Sequence, residues 1–341
     1  MSVHFGMYQS PRMYAYPDLY PATWVDQVTH GMNTAVVSAN GDDLFGAKED
    51  QTGFSRQIEG MLDAGLISPD CPVLASSLDS QKIRKAESRA TRPWPELLRG
   101  SRDEPKPEHI EEVIGMAHEA NEMGLRTATA VAAHNLLAPC NSRQYGNTTI
   151  ADWLDVVIIS ASTWDDDIVS KLVDKGKEVW AYWCQPNADN DAARIRYLAG
   201  LWAWKTKPQC MLFWAYTHQA QTRVTPRGEV QHAAGDDFSY VIPTVDGPRE
   251  TPGYAALAEG IKDHLALDAL EANGEGQERY WLTAMQASIP ARMPAFPAPV
   301  PRTDLDSIRS YALGKPEEKK PTNEKYRDPD LPAAGMLGVT K

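Results

Sequence analysis

The chain has 341 residues, of which 42% are hydrophobic and 23% charged, and its formal net charge at pH 7 is −12. This composition is typical of a globular protein that buries a large core. Phosphate binding needs clustered lysine and arginine, so the excess of 46 acidic over 34 basic residues argues against nucleic acid and anionic membranes as partners. Neutral or weakly charged partners are expected instead.

The cysteines and the N-terminus limit the other classes. Cys71, Cys140, Cys184 and Cys210 stand alone, with no CxxC pair and no histidine at zinc-finger spacing. The first residues lack the basic and then apolar segments of a signal peptide, and no apolar run approaches the roughly 20 residues that span a bilayer. We therefore expect no metal, no membrane segment, and a chain that is cytoplasmic as given or part of a larger particle.

Short apolar runs alternate with stretches of helical periodicity along most of the chain. Strands are predicted at residues 4–8, 33–38, 72–76, 97–102, 125–132, 155–160, 178–183 and 211–216. Helices are predicted at residues 20–30, 53–64, 79–90, 108–123, 165–175, 191–205 and 252–272. Gly31 follows the first helix, as a C-cap residue would.

Alternating strands and helices indicate a parallel sheet that is buried on both faces. Eight such units fit a (β/α)8 TIM barrel, a fold of about 250 residues. A doubly wound open sheet is the competing layout, and it is disfavoured because the GxGxxG phosphate loop is absent and the strand count reaches eight. The prediction is one α/β barrel over residues 1–275, with no cofactor.

The composition changes after the barrel. Residues 276–289 are assigned to a final packing helix. Residues 290–341 begin with a proline-rich stretch and continue as a polar one, which predicts an extended or partly disordered tail. Such a tail could contact a second copy of the chain or a larger assembly.

The strongest functional signal is LLRGSRDEP at 97–105, where the adjacent acids Asp103 and Glu104 precede Pro105. Proline biases the residue before it away from the helical region, which places the acids at the exit of a strand. On a barrel this exit lies on the catalytic face, where paired carboxylates are suited to acid–base chemistry on a glycosidic bond. The alternative is a helix start, because Asp is a good N-cap and Glu favours the positive end of the helix dipole.

Several short motifs occur in the order found in a known enzyme family. They are GxY at Gly6 and Tyr8, HGMN at 30–33, DEP at 103–105, WAYW at 180–183, RxxxxxWxWK at 196–205 and YAALAEGIKDH at 254–264. Over roughly residues 1–270 the chain resembles the catalytic barrel of glycoside hydrolase family 123 and the related domain of unknown function numbered 4091. That family includes β-N-acetylgalactosaminidases that retain stereochemistry through the substrate's own 2-acetamido group. The resemblance implies that Glu104 is the general acid/base and that Asp103 orients and stabilises the acetamido nitrogen.

Aromatic residues cluster at the ends of the last two predicted strands, where rings could pack on sugars. Trp180 and Tyr182 are expected to point to one side of the seventh strand and Trp183 to the other. We expect Tyr182 to bind the acetamido carbonyl and Trp214 to form the floor of the sugar site. The other substrate-binding candidates are Trp180, Trp164, His134, Asn135, Tyr8 and Tyr216. Packing between barrel and helices is the alternative role for each ring.

The predicted function is a retaining, substrate-assisted glycoside hydrolase acting on a 2-acetamido-2-deoxy-hexoside, with a carbohydrate as its partner. Two alternatives remain open: a hydrolase of a different glycan that uses the same carboxylates, and a catalytically silent barrel that binds glycan in a larger assembly. The long insertion at 217–251, which carries His218, Asp236 and Asp237, could cover the cleft.

Overall fold

The computed structural model describes residues 3–8, 20–38, 53–76, 79–184, 192–216, 222–224, 230–232, 239–244, 246–293 and 302–313. Eight strands form a closed barrel in which every neighbouring pair is parallel. They are β1 (His4–Tyr8), β2 (Thr34–Ser38), β3 (Val73–Ser76), β4 (Leu97–Gly100), β5 (Thr127–Val131), β6 (Val156–Ser160), β7 (Glu178–Cys184) and β8 (Cys210–Trp214). The strands follow chain order around the barrel, and β8 closes onto β1. The predicted (β/α)8 fold is confirmed.

Helices surround the barrel. They are α1 (Tyr20–Thr29), α2 (Gly53–Ala64), α3 (Ser80–Glu87), α4 (Ile110–Glu122), α5 (Ala133–Leu136), α6 (Ile150–Trp153), α7 (Asp166–Asp174), α8 (Ala192–Tyr197), α9 (Ala203–Thr206), α10 (Pro252–Asn273), α11 (Gln277–Ser288) and α12 (Arg302–Ala312). A π-helical segment, Leu198–Trp202, joins α8 to α9, and 3₁₀ turns at Pro107–His109 and Ala161–Thr163 precede α4 and α7.

Successive residues of each barrel strand face alternately the lumen and the helices. The lumen is filled by Val36, Leu74, Leu98, Ala128, Val156, Ile158, Trp180, Cys210 and Leu212. Their neighbours in sequence, such as Val37, Leu97 and Ile159, pack against the helices. Because both faces are apolar, the strands read as continuous apolar runs, which made them recognisable in the sequence.

Two connections differ in detail from the prediction. Between β5 and β6, where no helix was predicted, the chain forms α5, a hairpin of Cys140–Ser142 with Gly146–Thr148, and α6. Strand β4 ends at Gly100 and α4 begins at Ile110, so both acids of the DEP motif lie in the loop between them. The loop, rather than the strand, therefore sets where the two carboxylates point.

The turn after α1 requires a glycine. Gly31 has φ +88°, in the left-handed region that side chains disfavour, and a Cβ there would lie 3.0 Å from Cγ2 of Ile261. The predicted C-cap role agrees with this geometry.

The range predicted to be an extended tail contains a helix. Within α12, Leu305 and Ile308 are each 1% exposed, and Arg309 donates hydrogen bonds to the carboxylates of Glu259 and Asp263 on α10. Burial of this apolar i, i+3 pair stabilises a helix that follows the proline-rich stretch. The extended prediction is therefore wrong for residues 302–312, and residues 314–341 lie outside the described part of the chain.

Candidate active site

A cavity of about 710 Å³ opens at the C-terminal ends of the barrel strands. Strand ends contribute Tyr8, Ser76, Tyr182 and Trp214 to its wall, and the segment 99–104 lines it continuously. The predicted pair Asp103 and Glu104 belongs to this wall, together with the predicted substrate-binding residues Tyr8, Tyr182 and Trp214. The barrel thus brings residues from its first, fourth, seventh and eighth strand ends to one concave site.

The loop that carries the two acids is fastened to the end of β5. The Ser101 and Glu104 N–H groups donate to the carbonyls of Ala128 and Ala130 at 3.0 and 2.9 Å. The Thr129 hydroxyl donates to the Arg102 carbonyl at 2.6 Å. Two backbone bonds and one side-chain bond thus hold the loop against β5 past the end of β4, so the loop is positioned by the barrel itself.

Glu104 has an unusual backbone conformation. Its φ is +44°, in the left-handed region, where a non-glycine residue costs roughly 1–2 kcal/mol. Residues held in this region concentrate at functional sites, where the surrounding structure maintains them. The turn lets two adjacent side chains line the same cavity.

Asp103 and Glu104 do not cap the helix that follows them, which was the alternative interpretation of the DEP motif. The first helical turn is Pro107–His109, and its N-cap residue is Lys106. Neither Asp103 nor Glu104 caps a helix, because the proline-containing segment separates both from α4.

Asp103 and Glu104 each keep a solvent-exposed edge, which a substrate could reach. Partial burial by the pocket wall raises the pKa of Asp103, and the adjacent charge of Glu104 raises it further. A hydrogen bond from the Glu104 backbone opposes the shift. A neighbour of like sign in a partly desolvated site is a feature of functional carboxylates.

Tyr182 holds one oxygen of Glu104. Its hydroxyl donates to Glu104 Oε1 at 2.6 Å, and among the described residues Oε2 accepts no hydrogen bond. Burial raises the pKa of the Tyr182 hydroxyl, and the hydrogen bond to Glu104 raises it further, so Tyr182 remains a donor at neutral pH. The predicted partner was an acetamido carbonyl; in this structure the partner is the catalytic candidate itself.

Cys184 also lines the cavity, beyond Tyr182 on β7. Burial, with added repulsion from Glu104 and Asp103, raises the pKa of its thiol to about 11. The thiolate is the nucleophilic form, so this cysteine is a poor nucleophile at neutral pH. The cavity therefore offers oxygen acids rather than a thiol for chemistry.

Tyr8 and Trp214 form a flat aromatic wall. Their rings stack with centroids 4.1 Å apart and an interplanar angle of 22°. Both line the cavity, on the neighbouring strands β1 and β8. Such a surface suits the C–H face of a sugar ring.

Three predicted aromatic residues pack inside the protein instead. Trp180, 1% exposed, lies in the lumen, two residues (roughly 6.6 Å of strand) deeper than Tyr182. Trp164, also 1% exposed, packs edge-on against Trp202. Tyr216 is buried and donates to Asp26 Oδ2 at 2.6 Å. None of the three lines the cavity, so their substrate-binding role is not supported.

His134 and Asn135 are also absent from the cavity wall. They lie in α5, which begins directly after β5 and buries Ala133 and Leu136. The residues between those two consequently face away from the core, and His134 is exposed. His218, Asp236 and Asp237 of the insertion lie outside the described residues.

Sequence reasoning missed Arg99, Ser101 and Thr129. Arg99 and Ser101 line the cavity, and Thr129 both lines it and anchors the loop. One signal was present, since Arg99 interrupts an apolar run that was itself predicted to be a buried strand. A charge at such a position needs a special environment.

Two other kinds of site are absent from the described ranges. No group of three or more His, Cys, Asp and Glu side chains could hold a metal ion there. No helix in the same residues has the length and apolar character that crossing a bilayer requires.

No protein-family model matches the chain, and no curated protein matches it in sequence. Among solved structures, it is similar to a family 123 glycoside hydrolase from Clostridium perfringens, studied for glycolipid glycan hydrolysis, with TM-score 0.54 and 11% identity over 92% of this chain and 68% of that one. A family 5 glycoside hydrolase from Bacteroides vulgatus gives TM-score 0.46, 9% identity and coverage of 79% and 67%. A family 17 β-1,3-glucanosyltransferase from Rhizomucor miehei gives a TM-score of 0.41 and 11% identity, over 75% of this chain and 98% of that one. At 11% identity, the likeness to the family 123 structure shows the barrel fold alone.

Proposed function

We propose that the protein is a retaining glycoside hydrolase that cleaves a 2-acetamido-2-deoxy-hexoside, of the β-N-acetylgalactosaminide type, with Glu104 as general acid/base. The observation that carries the proposal is the pair of adjacent acids with different surroundings, held at the C-terminal face of the barrel in a cavity with an aromatic wall. Fold alone does not decide activity, so the argument rests on this site.

Glu104 has the contacts that an acid/base needs. Tyr182 donates to Oε1, and Oε2, which accepts no hydrogen bond within the described part of the chain, is available to the glycosidic oxygen. In the first step Glu104 protonates the leaving oxygen as the bond to the anomeric carbon breaks. In the second step the same carboxylate removes a proton from the water that attacks that carbon, so the residue returns to its starting state.

Asp103 then acts on the nucleophile, which we place in the substrate. The 2-acetamido oxygen attacks the anomeric carbon and closes an oxazolinium ring, whose positive charge ionised Asp103 stabilises at the nitrogen. This interaction strengthens only as charge develops, so it lowers the activation barrier of the reaction rather than tightening ground-state binding. Substrate-assisted enzymes need no second carboxylate as nucleophile.

Hydrolysis of four aryl β-glycosides tests the proposal: N-acetylgalactosaminide, N-acetylglucosaminide, galactoside and glucoside. The last two are matched controls that lack the acetamido group. We expect turnover of a 2-acetamido substrate with net retention by NMR, and none of its 2-hydroxy counterpart. Equal rates on both types would move the mechanism to a different glycan and nucleophile, and binding without turnover would make the barrel a glycan-binding module.

A further inference from the structure

Tyr182 reaches the cavity from inside the barrel. It lies on the same side of β7 as Trp180, and its ring packs against the apolar side chains that fill the lumen. Trp180 is 1% exposed, whereas Tyr182 is only partly buried and lines the cavity. The lumen therefore holds the ring, and the hydroxyl is the part of Tyr182 that meets the carboxylate of Glu104.

The orientation of the Glu104 carboxylate depends on this contact. The bond from the Glu104 N–H to the Ala130 carbonyl holds the main chain of the loop but not the side chain. Glu104 is exposed, and the Tyr182 hydroxyl is the one hydrogen-bond donor to its carboxylate within the part of the chain that the structure describes. An exposed glutamate without such a bond samples several rotamers, so Tyr182 selects the one that faces the substrate space.

The Tyr182 hydroxyl has one proton to donate. Glu104 Oε1 accepts it at 2.6 Å, a length typical of a hydrogen bond to a charged oxygen. Burial raises the pKa of Tyr182 and the bond to Glu104 raises it further, which keeps the proton on the phenol at neutral pH. While this bond exists, Tyr182 cannot also donate to the acetamido oxygen of a substrate.

We propose that Tyr182 is a positioning residue for the acid/base Glu104 and does not bind the acetamido group. Its bond to Oε1 leaves the transferable proton on Oε2. In the first step that proton moves to the leaving oxygen, which keeps the electron pair of the broken bond. The Tyr182 bond strengthens as Glu104 gains negative charge, and Tyr182 retains its own proton. The inference rests on the proposed function, because it concerns the acid/base of that reaction.

Leaving-group dependence separates the two roles. Tyr182→Phe keeps the ring in the lumen, so the fold is retained, and removes only the hydroxyl. Tyr280→Phe is the matched control, because Tyr280 is 78% exposed and outside the cavity wall. For each protein, kcat/KM is measured on two aryl glycosides of the 2-acetamido sugar that the wild type cleaves. One has dinitrophenol, a good leaving group, and the other has methoxyphenol, a poor one.

We expect Tyr182→Phe to lower kcat/KM about 10- to 100-fold on the poor leaving group, the range for one hydrogen bond to a charged group. The good leaving group needs little protonation, so its loss should stay below about 3-fold. Tyr280→Phe should change neither value. In a protein that already carries Glu104→Gln, Tyr182→Phe should cause no further loss, because its effect passes through Glu104.

Binding of an N-acetylgalactosamine-derived thiazoline, a mimic of the cyclic intermediate, provides a readout without turnover. Its affinity for Tyr182→Phe should stay within about 3-fold of the wild-type value, since the hydroxyl does not contact the acetamido group. Three results overturn the positioning role: equal losses on the two leaving groups, a loss that adds in full to that of Glu104→Gln, and thiazoline binding at least about 10-fold weaker. The last would assign the hydroxyl to the acetamido group.

Failure of the proposed function gives a different pattern. If the wild type cleaves 2-hydroxy glycosides and not 2-acetamido ones, the same two leaving groups are compared on the 2-hydroxy sugar. A leaving-group-dependent loss in Tyr182→Phe then rejects the acetamido mechanism and keeps the positioning role. If the wild type turns over neither type of sugar, both proposals are overturned.

Discussion

Burial raises the pKa of both Asp103 and Asp263, yet the surroundings of the two carboxylates differ. Asp263, 2% exposed, lies between α8 and α12 and accepts from Arg196 Nε at 2.6 Å and from Arg309. Asp103 keeps a solvent-exposed edge in the cavity, and the adjacent group that acts on its pKa is the acid Glu104. Burial alone therefore does not mark a functional acid.

The difference lies in what compensates each charge. Two arginines satisfy Asp263, which makes it part of the joint between helices α8, α10 and α12. Among the described residues no cation pairs with Asp103, which lines the cavity, so under the proposed function its charge is available to a cation that forms during the reaction.

The largest effect is expected for Glu104→Gln, which keeps the shape of the side chain but removes its transferable proton. On a substrate with a poor leaving group, kcat should fall by about 10²–10⁴-fold. Aryl substrates with good leaving groups should lose less in the first step. Glu108→Gln, the same change on an exposed neighbour outside the cavity, is the control. Small and equal losses on both substrate types would reject the acid/base role.

Asp263→Asn should act on stability instead of catalysis. Removing the charge leaves Arg196, 3% exposed, and Arg309 without their shared partner, a change that typically costs about 3–5 kcal/mol. Urea unfolding measures it. Asp306→Asn is the matched control, because Asp306 also pairs with Arg196 but is 56% exposed. A loss for Asp263→Asn no larger than for Asp306→Asn would refute the structural role.

Asp103→Asn should raise thermal stability while it lowers activity. Because the folded-state pKa of Asp103 lies above its ordinary value of 3.8, the ionised form destabilises the fold at neutral pH. The gain in Tm from Asn should therefore be present at pH 7 and disappear below about pH 3.8, where the carboxyl is protonated in both states. A gain that persists in acid would mean that packing, rather than charge, is the cause.

A smaller effect is expected at Thr129, which is 3% exposed and anchors the acid-bearing loop through Arg102. Thr129→Val keeps the shape and removes the hydroxyl, and kcat should fall about 2- to 10-fold with KM unchanged. Thr129→Ser restores the donor and should restore kcat. Equal losses in both variants would indicate packing rather than loop positioning.

The fold was predictable because parallel barrel strands, buried on both faces, have continuous apolar sequences that separate the helical stretches. The position of Asp103 and Glu104 at the C-terminal face of the barrel followed from Pro105, which disfavours a helical conformation for the residue before it. Strand alternation also placed Trp180 and Tyr182 on one side of β7, as observed.

The sequence does not show how deep a side chain lies in the barrel or which distant segments contact each other. Trp180 and Tyr182 share a face, but the strand stagger places one in the sealed lumen and the other at the cavity. Trp164 was misassigned because its packing against Trp202 joins distant segments. Helix α12 was missed because its stability comes from contacts with α10, which local composition does not show.

The central claim is that Asp103 stabilises a positive charge on the substrate's own acetamido group. Calorimetric titration of an N-acetylgalactosamine-derived thiazoline, a mimic of the cyclic intermediate, into wild-type and Asp103→Asn protein tests it most directly. We expect tight binding by the wild type and at least about 100-fold weaker binding by the variant, since transition-state-like ligands gain their affinity from such contacts. Equal affinity in the two proteins, or no binding to the wild type, would contradict it.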